Sequence, residues 1–129
     1  MLSDDVTAAV HVAAQAAWGK KAFQLVALDV SHMTSLADSF LICSGAHERQ
    51  VNAIAEAIRR RLREHGRHPL HVEGERRSEW ILLDYGDVVI HVLTEEKRAY
   101  YALESLWGQA ERLDLQERPN LPETDTIRG

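Results

Sequence analysis

The chain has a single cysteine, so no disulfide can close within it. It has only seven glycines, and none of them builds a G-x-G-x-x-G or G-x-x-x-x-G-K run of the kind that cradles phosphate. No apolar run approaches the ~20 residues of a membrane-spanning helix. There is no excess of basic charge: the formal net charge is −5, which argues against capture of naked nucleic acid by bulk electrostatics. At the start, Met1-Leu2-Ser3-Asp4-Asp5 puts acids where a secretory signal would be basic. The expected location is therefore cytoplasmic, with no membrane partner. What remains is an ordinary globular composition over 129 residues, a length that buries about two-thirds of its surface around one core.

The organising stretch is Glu79-Trp80-Ile81-Leu82-Leu83-Asp84-Tyr85-Gly86-Asp87-Val88-Val89-Ile90-His91-Val92-Leu93. Two apolar, β-branched runs flank a short polar turn, the pattern of a β-hairpin. A two-residue turn at Tyr85-Gly86 predicts Asp84 opposite Asp87, Leu82 opposite Val89 and Trp80 opposite His91. Side chains alternate between strand faces. Ile81, Leu83, Val88, Ile90 and Val92 then form an aliphatic face for the core. Trp80, Leu82, Asp84, Asp87, Val89, His91 and Leu93 form a mixed face. From the residues alone, a covering helix with wetted ends accounts for that face more simply than a docking surface does.

Elsewhere the periodicities are plain. Residues 3–17 predict a helix capped by Ser3, with a stripe of Val6, Ala9, Val10, Ala13 and Ala17. Its mostly alanine stripe suggests close but weak packing, as of a loosely held arm. Residues 23–28 and 39–44 predict strands, the second nearly all apolar and hence buried on both faces. Residues 47–65 predict a long helix on Val51, Ile54, Ala55, Ile58 and Leu62, stopped by Gly66. Residues 69–74 are a short strand or extended loop. Thr94 caps a last helix with a stripe of Tyr100, Leu103, Leu106, Trp107 and Ala110. From residue 113 on, the chain reads as a disordered tail, leaving one domain over residues 1–112. The implied fold is α/β, a mixed sheet of about five strands with flanking helices.

Candidate chemistry is thin. Asp84 and Asp87, with Asp29 and Asp38 at strand ends, could hold Mg²⁺ for nucleotidyl transfer, but Asp is also a common turn residue. Cys43 before Gly45 and a helix loosely resembles an activated thiol, although free cysteine is usually buried. The helix start after Ser44-Gly45-Ala46 could take an anion, though a plain strand-to-helix turn explains it. His65, His68 and His71 with Glu73 lack zinc-ligand spacing. Residues 59–77 hold seven arginines and three acids, the only basic region; a solvated helix end explains it more simply than an anion site. No cofactor or metal is expected.

Several stretches, in order, resemble the ribosomal silencing factor (RsfS, or Iojap-like) family. Asp38-Ser39-Phe40-Leu41-Ile42-Cys43-Ser44-Gly45 is similar to its D-x-F-x-I-C-S-G segment. Gln50-Val51 and Ala53-Ile54-Ala55 resemble the following helix. Glu73-Gly74, Trp80 and Leu83 to Val92 match its most characteristic run. Arg98, Tyr101, Leu103-Glu104 and Leu106-Trp107 resemble its closing helix. The likeness covers about residues 4–110. A small residue stands at Ser39, where the family often has a bulky one nearby, and the tail has no counterpart.

The resemblance implies a nucleotidyltransferase-like fold without the catalytic set, and a non-enzymatic role. It implies binding to the large ribosomal subunit through its protein L-fourteen. Joining of the small subunit is then blocked and translation repressed under nutrient limitation. It also implies a homodimer when free. The docking residues it points to are Trp80, Leu82, Asp84, Asp87, His91, Arg98 and Tyr101. A peripheral contact between residues 59–77 and ribosomal RNA is left open. The alternatives are a Mg²⁺-dependent nucleotidyltransferase-like enzyme and a large-subunit assembly factor.

Overall fold

The computed structural model describes residues 2–101 and 108–116, apart from the side chains of Tyr100 and Tyr101. The helical stripe expected on Leu103, Leu106 and Trp107, and residues 117–129 of the expected tail, lie outside the described residues.

The element order is α1 (Asp4–Gly19), β1 (Phe23–Asp29), β2 (Ser39–Gly45), α2 (Glu48–Glu64), β3 (His71–Glu73), β4 (Trp80–Asp84), β5 (Val88–Thr94), α3 (Glu95–Tyr101) and β6 (Glu111–Leu113). The strands form one sheet in the order β3-β4-β5-β2-β1-β6. Among the described residues only β2 and β5 run parallel; the other neighbours are antiparallel. A parallel pair needs a long crossover, and α2 with the β3–β4 segment supplies it. The mixed sheet expected from the sequence is therefore present, with one strand more. β6 pairs with β1 through Leu113 opposite Ala27, and Leu115 packs against the core. The folded chain thus runs past residue 112, at least to Gln116, whose carbonyl accepts from the Gln15 side chain at 2.9 Å.

Both long helices lie on one face of the sheet. The Ser3 hydroxyl accepts from the Val6 N–H to cap α1, and Asp4 and Asp5 occupy its first turn. Val10, Ala13 and Ala17 are fully buried, against α2 and the strands, in the same core as Val51, Ile54, Ile58, Leu41, Ile81, Leu83 and Ile90. The alanine stripe packs closely, as its small side chains suggest, and its burial makes α1 part of the core rather than a loosely held arm. A smaller core of Leu28, Val30, Ala37, Ile42 and Leu93 occupies the opposite face.

The hairpin register differs from the expected one. Trp80 pairs with Leu93, Leu82 with His91 and Asp84 with Val89. The Tyr85 N–H donates to the Val88 carbonyl at 2.9 Å, so the turn is Gly86-Asp87. Gly86 has φ +88° and Asp87 an ordinary negative φ, as a primed turn with glycine first requires. Moving the turn by one residue moves every partner by two. The shift is even, so the sorting of side chains between faces survives. Tyr85 joins the aliphatic face and is buried beneath α2.

Candidate functional site

Away from α1 and α2, strands β4, β5 and β2 carry three cross-strand rows. They are Asp84–Val89–Phe40, Leu82–His91–Ile42 and Trp80–Leu93–Ser44. Ile42 and Leu93 are fully buried, while Phe40, Trp80, Leu82, Asp84 and Val89 are only partly so. The mixed face read from the sequence is thus present in the fold, with Ile42 and Leu93 as an apolar floor and the partly buried Phe40 and Trp80 packed against it.

His91 sits at its centre. The Trp80 indole N–H, a donor only, donates to His91 Nδ1 at 3.1 Å, which puts the imidazole proton on Nε2. The Phe40 ring meets the imidazole edge-on, with centroids 5.4 Å apart. Burial pushes the His91 pKa down to about 4, so the ring is neutral at physiological pH and behaves as an aromatic spacer. Trp80 is held in place by this bond from a diagonal neighbour, the reach expected between adjacent strands.

The other expected docking residues are distributed differently. Asp84 Oδ1 accepts from the Gly86 N–H at 2.8 Å, fastening the turn while the side chain stays partly exposed. Asp87 is gripped bidentately by Arg67 at 2.9 and 3.0 Å, and this hydrogen bonding holds its carboxyl below the usual range. Arg98 is 5% exposed and donates to Ser44 Oγ at 2.9 Å. Ser44 in turn donates to Gln24 Oε1 at 3.0 Å. Arg98 therefore ties α3 to the sheet from within. Tyr101 ends α3, and its side chain lies outside the described residues. Phe40 was missed in the sequence because β2 read as buried on both faces; only the parallel pairing with β5 brings its ring to His91.

The other candidates are absorbed by the fold. Cys43 is fully buried and burial pushes its thiol up to about 12, the setting of an inert cysteine. Asp29 accepts from Ser31 N and Oγ. His65 Nδ1–H donates to the Arg61 carbonyl, while His71 pairs with Glu73. Among the described residues, no group of three or more His, Cys, Asp or Glu is placed to hold a metal ion, and no helix is long and apolar enough to cross a membrane.

Fold and site together define a small single α/β domain with a mixed six-stranded sheet, whose face away from α1 and α2 carries a partly exposed aromatic cluster. Comparison with known proteins gives this class its family. The model of the family described as "Ribosomal silencing factor during starvation" matches residues 3–128. A ribosomal silencing factor of Halalkalibacterium halodurans is 43% identical over 107 residues, covering 83% of this chain and 92% of that protein. A crystal structure of a protein from Chromobacterium violaceum has a TM-score of 0.76 at 31% identity, covering 96% of this chain and all of that one. The mouse protein named for mitochondrial assembly of the ribosomal large subunit is 32% identical over 73 residues, 54% of this chain and 32% of its own length. The chain belongs to the ribosomal silencing factor family. The family's description, a silencing factor of the ribosome during starvation, is that of a regulator.

Proposed function

We propose that this protein represses translation in the cytoplasm by docking on the large ribosomal subunit through its protein L-fourteen. A body of this size on the joining face excludes the small subunit without any chemical step. The observation that carries the reading is the Phe40–His91–Trp80 cluster on the partly open sheet face. Aromatic anchors of this kind dominate binding energy at protein interfaces. Trp80 and Leu82 supply the apolar contact, with Asp84 as the nearby acid for a basic partner. Asp87, His91 and Arg98 act from behind, holding the turn, the indole and α3. Tyr101 extends the contact from the end of α3. The net charge of −5 suits approach to a basic ribosomal protein. When free, the chain is a homodimer.

The mouse relative's name favours a second reading, large-subunit assembly through the same surface at an earlier time. Co-sedimentation with isolated large subunits, with and without small subunits, separates the two. Repression predicts that the protein travels with mature large subunits and lowers the yield of joined ribosomes. Assembly predicts binding to immature particles only. Binding to neither refutes both.

A further inference from the structure

The docking face leaves a second feature unexplained, on the opposite face where α2 ends. Arg59 and Arg63 follow each other one turn apart on α2, the spacing that puts side chains on one helix face. Arg67 follows beyond Gly66. Beneath them lies Tyr85. The tyrosine is 8% exposed, and its hydroxyl is buried without a hydrogen-bond partner among the described residues. The charges acting on that hydroxyl are those of Arg59, Arg67 and Arg63.

A guanidinium donates hydrogen bonds and accepts none. The phenolic hydroxyl also has a hydrogen to give. Two nearby acids are already engaged: Glu75 takes Arg59 at 2.9 Å and Asp87 takes Arg67, while Asp5 acts on Arg67 through its charge alone. Arg63 is exposed and makes no ion pair among the described residues. The cluster is therefore rich in donors and short of an acceptor, and a buried unsatisfied hydroxyl is costly enough to call for one.

We infer that Arg59, Arg63 and the Tyr85 hydroxyl form a phosphate-binding site that engages the backbone of ribosomal RNA. The missing group is an oxyanion acceptor: a phosphate oxygen accepts from the hydroxyl while the guanidiniums, shifting outward, clasp the others. A phosphodiester suits it because arginine clusters recognise phosphate by charge and by paired donors together. RNA is the source because the protein acts at a particle built on RNA, and that choice rests on the large-subunit reading. A single clasp of this kind fixes orientation without capturing RNA over the whole acidic surface.

The test is a titration of the full protein with a short RNA duplex at several salt concentrations, read by fluorescence anisotropy, together with thermal melts. The variants are Arg63→Gln, Tyr85→Phe and, as a control at the other end of α2, Arg49→Gln. Wild type should bind weakly and more weakly as salt rises. Arg63→Gln should lose affinity several-fold and lower the salt slope by about one. Tyr85→Phe should lose about three- to tenfold with the slope retained and the melting temperature unchanged or raised, because an orphaned hydroxyl is gone. Arg49→Gln should match wild type. Three results overturn the site: wild type binding no RNA at low salt, Tyr85→Phe and Arg63→Gln binding as wild type, or inorganic phosphate raising the melting temperature of wild type and Tyr85→Phe equally without any RNA binding. Co-sedimentation of wild type with large subunits is scored separately. If it fails while the RNA result holds, the docking reading falls and the phosphate site stands.

Discussion

Trp80 and His91 are joined by a hydrogen bond in which the indole N–H donates to imidazole Nδ1 at 3.1 Å. The bond spans a diagonal of the β4–β5 ladder and leaves the indole partly exposed. An anchor held in one orientation before binding loses little side-chain entropy on docking. Trp80→Ala should therefore weaken binding to large subunits by roughly thirtyfold or more, the effect of an interface hot spot of about 2 kcal/mol. Trp80→Phe, which keeps a ring but loses the N–H, should fall between. Circular dichroism establishes that each variant is folded. A folded Trp80→Ala protein that sediments with large subunits at full affinity refutes the anchor assignment.

The same pair predicts an acid response. Burial holds His91 near 4 in the folded state, while an unfolded histidine titrates near about 6.5. Between those values the unfolded chain binds more protons than the folded one, so stability rises with pH there. The contribution is intact above about 6.5 and falls away as pH drops towards 4, by roughly 3 kcal/mol over the window if the bond and packing stay intact. Urea melts of wild type and His91→Gln at a series of pH values check this. The wild-type stability should slope over that range, and the variant should lack the His91 part of the slope. Equal slopes would show that His91 is not held neutral.

Much of this site was legible from the hairpin alone. Alternation sorted Trp80, Leu82, Asp84, Val89 and His91 onto one face even though the turn was placed one residue early, because pairing errors of two residues preserve the faces. Long-range information was not legible. Phe40 reaches His91 only through the parallel β2–β5 pair, and nothing local to residues 39–44 announces that neighbour. Arg98 enters from the sequence only as a docking candidate, and only the approach of α3 to Ser44 buries it. Strand β6 is three residues long, too short for a periodic signal, and takes its structure from the open edge of β1. Asp87 illustrates the remaining limit: its side chain is a turn residue by sequence, yet Arg67 lies twenty residues away in the chain.

That ion pair gives a prediction of its own. Arg67 follows α2 and Asp87 sits in the β4–β5 turn, so the pair clamps the helix end to the hairpin. The Asp87 carbonyl adds hydrogen bonds from Asp38 N–H at 2.8 Å and Ser39 N–H at 3.1 Å, binding the start of β2 to the same turn. The two side chains are 24% and 32% exposed, so solvent screens part of the attraction. Asp87→Asn should cost about 1 kcal/mol at neutral pH, at the upper end for exposed pairs because the geometry is bidentate. Arg67 holds the Asp87 pKa below its ordinary value. Its contribution is present above the unfolded carboxylate pKa and is lost as pH falls through the folded one, so variant and wild type should converge in acid. Affinity for large subunits should change less than for Trp80→Ala. A large loss of affinity with unchanged stability would instead make Asp87 a direct contact.

Gly74 controls how β4 begins, and with it where Trp80 stands. It has φ +90°, and a Cβ there would lie 1.9 Å from the Trp80 carbonyl oxygen. No rotamer relieves that clash, because the backbone fixes the Cβ and the oxygen it meets is main chain. Gly66 offers the matched comparison: φ is +79°, but nothing lies within 4 Å of its would-be Cβ. Gly66→Ala should therefore cost only the left-handed strain, about 1 kcal/mol. Gly74→Ala adds a forced displacement of the β4 backbone and should cost about 3 kcal/mol or more, in the range reserved for backbone and packing failures. Because the displaced residue is Trp80 itself, Gly74→Ala should also lose affinity for large subunits under conditions where it remains folded, while Gly66→Ala should not. Equal stability costs for the two substitutions in urea unfolding would show that the 74–80 approach yields without cost, and that the indole owes its position to His91 alone.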